Sequence, residues 1–87
     1  MPDITRNGDD FTVDAKIIAE GLDLPEHAIS RAMSTGAITT RFERGEGEDA
    51  GRFRLNFFHR GKTLRLTVDG DGNLLSRARF DRGQSLP

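Results

Sequence analysis

Residues 51–80 read GRFRLNFFHRGKTLRLTVDGDGNLLSRARF, and this stretch decides the fold. Apolar and polar residues alternate along three runs, which are separated by the turn-forming sequences Arg60-Gly61 and DGDGN (69–73). Alternation with a period of two is typical of a strand with one dry and one wet face. The stretch therefore predicts three antiparallel strands, over about 52–59, 62–69 and 74–80.

The same alternation assigns each side chain to a face. A fourth strand is predicted upstream, over 37–44 (AITTRFER), and the acidic glycine-rich loop 45–51 (GEGEDAG) connects it to the next strand and resists regular structure. The side chains predicted to point inward are Ile38, Thr40, Phe42, Phe53, Leu55, Phe57, Leu64, Leu66, Val68, Leu74, Ala78 and Phe80.

The N-terminal segment ITRNGDDFTV (4–13) contains Asn7-Gly8, a strong signal for a two-residue hairpin turn. It predicts short strands at about 3–6 and 10–13, with Ile4, Phe11 and Val13 inward.

Two helices are predicted after the hairpin. Asp14 is placed to cap a brief helix over about 15–20, and Gly21 fits the left-handed position that ends a helix. Pro25 suits the first turn of a second helix, which Gly36 ends in the same way. The apolar face of a four-stranded antiparallel meander must be buried against another layer of structure, and these two helices are the elements that can form that layer. We therefore predict one α+β domain over 1–87, with a loose tail over about 82–87.

Composition excludes several classes of protein. The 87 residues include no cysteine, which excludes disulfides, thiolate metal sites and a cysteine nucleophile. No apolar run approaches the roughly 18–20 residues of a membrane helix, and the N-terminus lacks a signal-peptide pattern. We expect a soluble cytoplasmic protein with no membrane association.

The net charge of −1 conceals an asymmetry between the two halves of the chain. Residues 1–51 carry five basic and eleven acidic side chains, for a net charge of −6, and residues 52–87 carry eight and three, for +5. Such asymmetry favours an anionic partner. It equally suits a monomer whose halves neutralise each other, or a homodimer that pairs them.

The candidate binding site is the outward face of the predicted sheet. We expect it to bind an acidic protein surface or a second copy of the chain, as a non-catalytic protein-interaction module. Nucleic-acid binding is the alternative, since arginines beside an exposed Phe can contact phosphates and stack a base. A solvated face whose arginine stems shield the sheet explains the same pattern. The candidate residues are Arg41, Arg52, Arg54, Phe58, Arg65, Arg77 and Arg79.

The helix pair over 15–35 is a second candidate nucleic-acid interface, because its spacing fits a helix-turn-helix. Its second helix offers only Arg31 as a basic side chain, and an ordinary helical hairpin on a sheet fits equally well.

Catalytic and metal sites find little support in the sequence. DGDGN begins like a calcium loop but has Leu74 at the sixth position and Phe80 at the twelfth, so a hairpin turn is the better interpretation. His27 and His59 lie in different predicted elements, and the carboxylates of loop 45–51 would repel phosphate. We expect no enzymatic activity, no catalytic residue, no metal and no cofactor.

Three segments, FTVDAKIIAEGLDLP (11–25), STGAITTRFERG (34–45) and EDAGRFRLNFFHRGKTLRLTVDGDGNLL (48–75), carry a resemblance over nearly the whole chain. The chain resembles a small bacterial family classed as a domain of unknown function. The resemblance implies a free-standing, single-domain bacterial protein, and it brings no activity and no site residue.

Overall fold

The computed structural model describes residues 4–8 and 10–81. It contains a two-stranded hairpin, two helices and a four-stranded antiparallel sheet, so the predicted α+β architecture is confirmed. The predicted strand residue Asp3 and the tail 82–87 lie outside the described residues. The elements are β1 (Ile4–Asn7), β2 (Asp10–Val13), α1 (Ala15–Leu22), α2 (Glu26–Ser34), β3 (Thr39–Arg44), β4 (Arg52–His59), β5 (Lys62–Asp69) and β6 (Leu74–Asp81).

The large sheet is a meander in which each strand pairs with the next, in the order β3-β4-β5-β6. Directly opposed residues of an antiparallel pair share a face. Leu55 lies between Phe42 and Leu66, and Phe57 lies opposite Leu64. These side chains define the inner face, where Leu55, Leu64 and Leu66 are completely buried.

Helix α1 packs on the inner face. Asp14 caps it as predicted, since its side-chain Oδ1 accepts a hydrogen bond of 2.9 Å from the backbone N–H of Lys16. Ile17, Ile18 and Leu22 are all at least 95% buried, so the apolar stripe of the helix supplies much of the core.

The prediction that Gly21 ends this helix is wrong. The helix continues to Leu22, and Asp23 adopts the left-handed conformation at its end, with φ of 61°. Gly21 instead lies where the helix backbone comes very close to the sheet, because a Cβ built on it would lie 2.8 Å from Cγ of the buried Leu64. The missing side chain allows α1 to sit directly on β5.

Helix α2 begins one residue later than predicted, with Pro25 in the extended conformation as its N-cap. Its end is as predicted, since Gly36 follows it with φ of +83°. Ile29 is buried against the core, and Ile38 returns the chain to the sheet with its backbone N–H bonded to the Ala32 carbonyl at 2.9 Å.

The N-terminal hairpin closes the other end of the core. Its register pairs Asn7 with Asp10, so the turn lies one residue further along the chain than predicted. Ile4 and Phe11 are buried as predicted, and the Phe11 ring lies 5.2 Å from that of Phe53. The Arg6 side chain donates to the Gly70 carbonyl at 3.0 Å, which fixes the hairpin to the β5–β6 turn.

Strand β6 contains the main departure from prediction. Val68 pairs with Leu74 whereas Thr67 pairs with Ser76, so Leu75 is an extra residue, a β-bulge. One extra residue reverses the alternation of every later side chain. The predictions that Arg77 and Arg79 point outward and that Ala78 and Phe80 point inward are therefore wrong. Arg77 lies opposite Leu66 and Arg79 opposite Leu64, on the inner face.

The acidic loop also differs from prediction, because it contains a short 3₁₀ turn, Gly47–Asp49. The backbone N–H of Asp49 donates to the Glu46 carbonyl at 3.0 Å, and that of Ala50 donates to the Gly47 carbonyl at 3.2 Å. This turn directs Asp49 toward the start of β4.

Candidate binding surface on the outer sheet face

The outer face is the side of the large sheet opposite α1, and the strand register arranges its side chains in rows. Two rows, at the end of the sheet nearest the β4–β5 turn, form what we call the aromatic end. The other two rows, together with the acidic loop, form the charged end. The aromatic end comprises Thr39, Phe58, Thr63, Phe80, Arg41, Asn56, Arg65 and Ala78, and the charged end comprises Glu43, Arg54, Thr67, Ser76, Asp49, Arg52 and Asp69.

Two phenylalanines stand in the first row of the aromatic end. Phe58 and Phe80 both oppose Thr63, one from each side, and they are 37% and 47% exposed. Neighbouring strands lie about 4.8 Å apart, so the two residues are separated by about 10 Å across the sheet. The bulge at Leu75 brings Phe80 to this face, and that is why the sequence pattern missed it.

Asn56 organises the second row. It is only 1% exposed, although it lies on the outer face, because neighbouring side chains cover it. Its Nδ2 donates to the Arg41 carbonyl at 3.1 Å and to Glu43 Oε1 at 2.9 Å. Its Oδ1 accepts from Arg65 Nε at 2.9 Å. All the polar atoms of this side chain are thus satisfied within the protein.

The Asn56 network holds the Arg65 guanidinium in one place. Its carbon Cζ lies 5.1 Å from the centroid of the Phe80 ring, within range of a cation–π contact. The Nη groups of Arg65 donate to no described residue. The guanidinium therefore presents a fixed set of free donors beside an exposed ring.

The charged end is largely neutralised by its own carboxylates. Asp49 of the acidic loop places its Oδ2 3.6 Å from Nη2 of Arg54 and its Oδ1 4.0 Å from Nη1 of Arg52. Glu43 lies opposite Arg54 in the strand register. The outward positions predicted for Arg52 and Arg54 are correct, but their charges are already partnered.

Arg77 and Arg79 do not belong to this surface. Arg77 Nη1 lies 3.8 Å from Glu20 Oε2, and Arg79 Nη1 donates to the Glu20 carbonyl at 3.5 Å. Both side chains reach from the edge strand to α1. Of the predicted binding residues, the structure brings together Arg41, Phe58 and Arg65, sets Arg52 and Arg54 apart at the charged end, and places Arg77 and Arg79 on the opposite face.

The ion pairs of the protein link its acidic half to its basic half. Within the described residues, all of the ion pairs found join an acidic residue of 1–51 to a basic residue of 52–81: Asp49 with Arg52 and Arg54, Asp23 with Lys62, and Glu20 with Arg77. Part of the charge of each half is thus paired with the other half inside one molecule.

Three of the arginines that pair with no described carboxylate lie near the exposed rings. Arg41, Arg60 and Arg65 form no ion pair with any described residue. Arg60 lies in the turn that follows β4 and lines a shallow pocket of about 210 Å³ together with Thr39, Phe58 and Thr63. The sequence pattern identified Arg60 only as a turn residue.

The helix pair offers a weaker interface. The connection between α1 and α2 is short, as a helix-turn-helix requires, but the hydroxyl groups near the end of α2 are occupied. Ser34 Oγ donates to the Arg31 carbonyl at 3.0 Å, and Thr35 Oγ1 donates to the Ala32 carbonyl at 3.3 Å. Arg31 is the only lysine or arginine of this helix.

The DGDGN segment is a hairpin turn between β5 and β6, as predicted. Asp69 Oδ1 accepts hydrogen bonds of 2.9 Å from the backbone N–H groups of Asp71 and Asn73, and Oδ2 accepts from Asn73 Nδ2 at 3.0 Å. The hydrogen bond from the Asn73 side chain, with the backbone bonds, lowers the pKa of Asp69 below its usual value.

The two histidines are not brought into one site. His59 Nδ1 donates to the Ala37 carbonyl at 2.9 Å, whereas His27 is exposed on α2. None of the described helices is long and apolar enough to cross a membrane.

Comparison with known proteins identifies the family of the chain. The model of a family of unknown function, DUF6522, matches residues 1–86. The chain belongs to this family. Searches of curated proteins and of solved structures gave no match. Membership in the DUF6522 family agrees with the resemblance in the sequence and assigns no activity.

Proposed function

We propose that this member of the DUF6522 family is a non-catalytic binding module, and that the aromatic end of its outer sheet face binds an extended chain of anionic groups. The observation that supports this is the coincidence of two exposed rings with three arginines that have no carboxylate partner among the described residues. Unpartnered guanidinium groups pair readily with carboxylate or phosphate, often through two parallel hydrogen bonds.

The charge distribution favours the aromatic end of the outer face over its charged end. No described acidic residue belongs to its two rows, whereas the charged end contains Glu43, Asp49 and Asp69. An anionic chain would therefore meet positive charge at one end of the sheet and largely neutralised charge at the other.

A second copy of the protein is the alternative occupant of this surface. Its Glu20, Asp23 and Asp49 already pair within their own chain, so binding them would break existing ion pairs. A second copy would therefore have to bind through carboxylates such as Glu26, Glu46 and Glu48, which form no ion pair with a described residue.

The experiment is fluorescence anisotropy at low salt with two labelled probes, a short mixed-sequence single-stranded RNA and a poly-glutamate peptide of similar length. We expect at least one probe to bind, and the double variant Arg41→Ala/Arg60→Ala to weaken it. The matched control is Arg77→Ala/Arg79→Ala, which removes the same charge from the opposite face. If neither probe binds, or if both double variants weaken binding equally, the proposal is wrong.

A further inference from the structure

We infer that the anionic chain is a single-stranded nucleic acid whose bases stack on Phe58 and Phe80. This inference rests on the proposed function and names its partner. The exposed rings decide between the two anionic polymers, because an acidic peptide needs only the arginines. A base has a flat face that an exposed ring can stack against, whatever the sequence.

Phe58 and Phe80 are exposed on the outer face, which distinguishes them from the phenylalanines of the core and of the inner face. Phe11 and Phe57 are buried in the core, and Phe42, although 40% exposed, lies on the inner face against both of them. Phe58 and Phe80 are the exposed rings that the described residues place on the outer face.

The spacing of these rings fits two separate bases. Since Phe58 and Phe80 are about 10 Å apart across the sheet, they cannot stack on one another. Each would take its own base, and the base on Phe80 would have to stack on the part of the ring that Arg65 does not cover. Thr63 lies between them, at the level of both rings.

The three arginines lie on the two sides of the rings, where the sugar-phosphate backbone of a bound single strand would run. Arg41 and Arg65 occupy the row next to the rings, about 7 Å further along the strands, and they flank Asn56. Arg60 lies beyond the opposite side of the aromatic row, in the β4–β5 turn. A strand crossing the sheet would therefore have guanidinium groups on both sides of its bases.

The guanidinium of Arg65 is already fixed in the unbound protein, in a position suited to such a contact. The hydrogen bond to Asn56 and the contact with the Phe80 ring fix its guanidinium, so little side-chain freedom is lost when its free Nη groups bind phosphate or a base edge.

A duplex does not meet the same geometry. Bases in a duplex are stacked on each other, and sheet-face aromatics reach only bases that are splayed out of a single strand. We therefore expect a single strand to bind more tightly than a duplex of the same sequence.

The experiment measures the affinity of the same RNA probe for ring variants. Removal of an aromatic side chain that stacks a base weakens binding by roughly 5- to 150-fold, and we expect this for Phe58→Ala and Phe80→Ala. Phe58→Leu keeps apolar volume without a ring and should lose nearly as much, whereas Phe58→Trp should bind at least as well as the wild type.

Two controls accompany these variants. Leu75→Ala truncates a side chain that is 49% exposed on the same sheet edge but outside the aromatic end, and it should leave the affinity unchanged. Thermal melting of each variant shows that the fold is intact, and Phe80→Leu replaces Phe80→Ala if the latter does not fold. With three arginines available, the logarithm of the affinity should fall with the logarithm of salt with a slope of roughly −2.

The outcomes separate this inference from the proposed function. Binding of poly-glutamate as tightly as RNA, with no effect of Phe58→Leu, would refute the nucleic acid and leave the proposed function standing. Equal binding of single strand and duplex would also refute the stacking arrangement. Failure of both probes at low salt would refute the inference and the proposed function together.

Discussion

Arg77 of β6 and Glu20 of α1 form an ion pair across the open edge of the inner face, with 3.8 Å between Nη1 and Oε2. The sequence alternation alone would have put Arg77 on the outer face. The bulge at Leu75 turns it inward and joins the edge strand to the helix that covers the sheet.

This ion pair should contribute little to stability. Both side chains are substantially exposed, at 42% and 57%, and exposed ion pairs are worth about 0–1 kcal/mol. We expect Arg77→Ala to lower the free energy of unfolding by no more than about 1 kcal/mol in urea denaturation. A loss of several kcal/mol would mean that the pair is buried and structural.

Gly21→Ala should destabilise the protein, although alanine is the better helix former. The gain in helix propensity is roughly 1 kcal/mol, and overpacking a core costs about 1–3 kcal/mol. The added methyl group would collide with Leu64, which is completely buried and has little room to move.

Thermal melting and urea denaturation measure this effect. Leu64→Val removes one methylene of volume from the contact, so the double variant should lose less than the sum of the two single variants. A Gly21→Ala variant more stable than the wild type would contradict the close packing of α1 on β5.

Leu66→Ala tests the assignment of the inner face. Leu66 is completely buried between Leu55 and the edge strand, and such truncations cost about 2–5 kcal/mol. The control is Thr67→Ala, one residue along on the outer face, which should cost much less. A larger loss of unfolding free energy for Thr67→Ala than for Leu66→Ala would mean that the faces are assigned in reverse.

Asp69 should make the stability of the protein depend on pH in the acid range. Its pKa is lowered in the folded state by the Asn73 side chain and by backbone hydrogen bonds. A carboxyl whose folded pKa lies below its unfolded value, about 3.9, stabilises the fold above that value. This contribution is lost as the pH falls from about 4 through the folded pKa.

Melting temperature as a function of pH measures this contribution. We expect the difference in melting temperature between the wild type and Asp69→Asn to shrink as the pH falls below about 4. Asp71→Asn, in the same turn, is the control, because the Asp71 side chain accepts no described hydrogen bond. A difference that is constant with pH would show that the Asp69 carboxylate contributes no pH-dependent stability.

The architecture was largely predictable from local pattern. Period-two alternation located β4 and β5 with their bounds as predicted, and Asp14 and Gly36 marked helix ends through their own chemistry. These signals depend on residues that are close together in the chain, so strands and helix ends of this kind can be predicted from the sequence alone.

The errors arose where the deciding contact is distant in sequence. Gly21 resembles a helix terminator until Leu64 is known to lie against it. The bulge at Leu75 depends on how β6 pairs with β5, and nothing in LLSRARF indicates an extra residue. The candidate site was therefore only partly predictable: Arg41, Phe58 and Arg65 were identified, and Phe80 and Arg60 were not.

The most direct test of the account is an amide NMR titration of isotope-labelled protein with a short single-stranded RNA at low salt. Binding at the aromatic end predicts shifts that cluster on Phe58, Thr63, Arg65 and Phe80 and that reverse when salt is added. Shifts confined to α2 would place the interface on the helix pair, and an unchanged spectrum would contradict nucleic-acid binding by the outer sheet face.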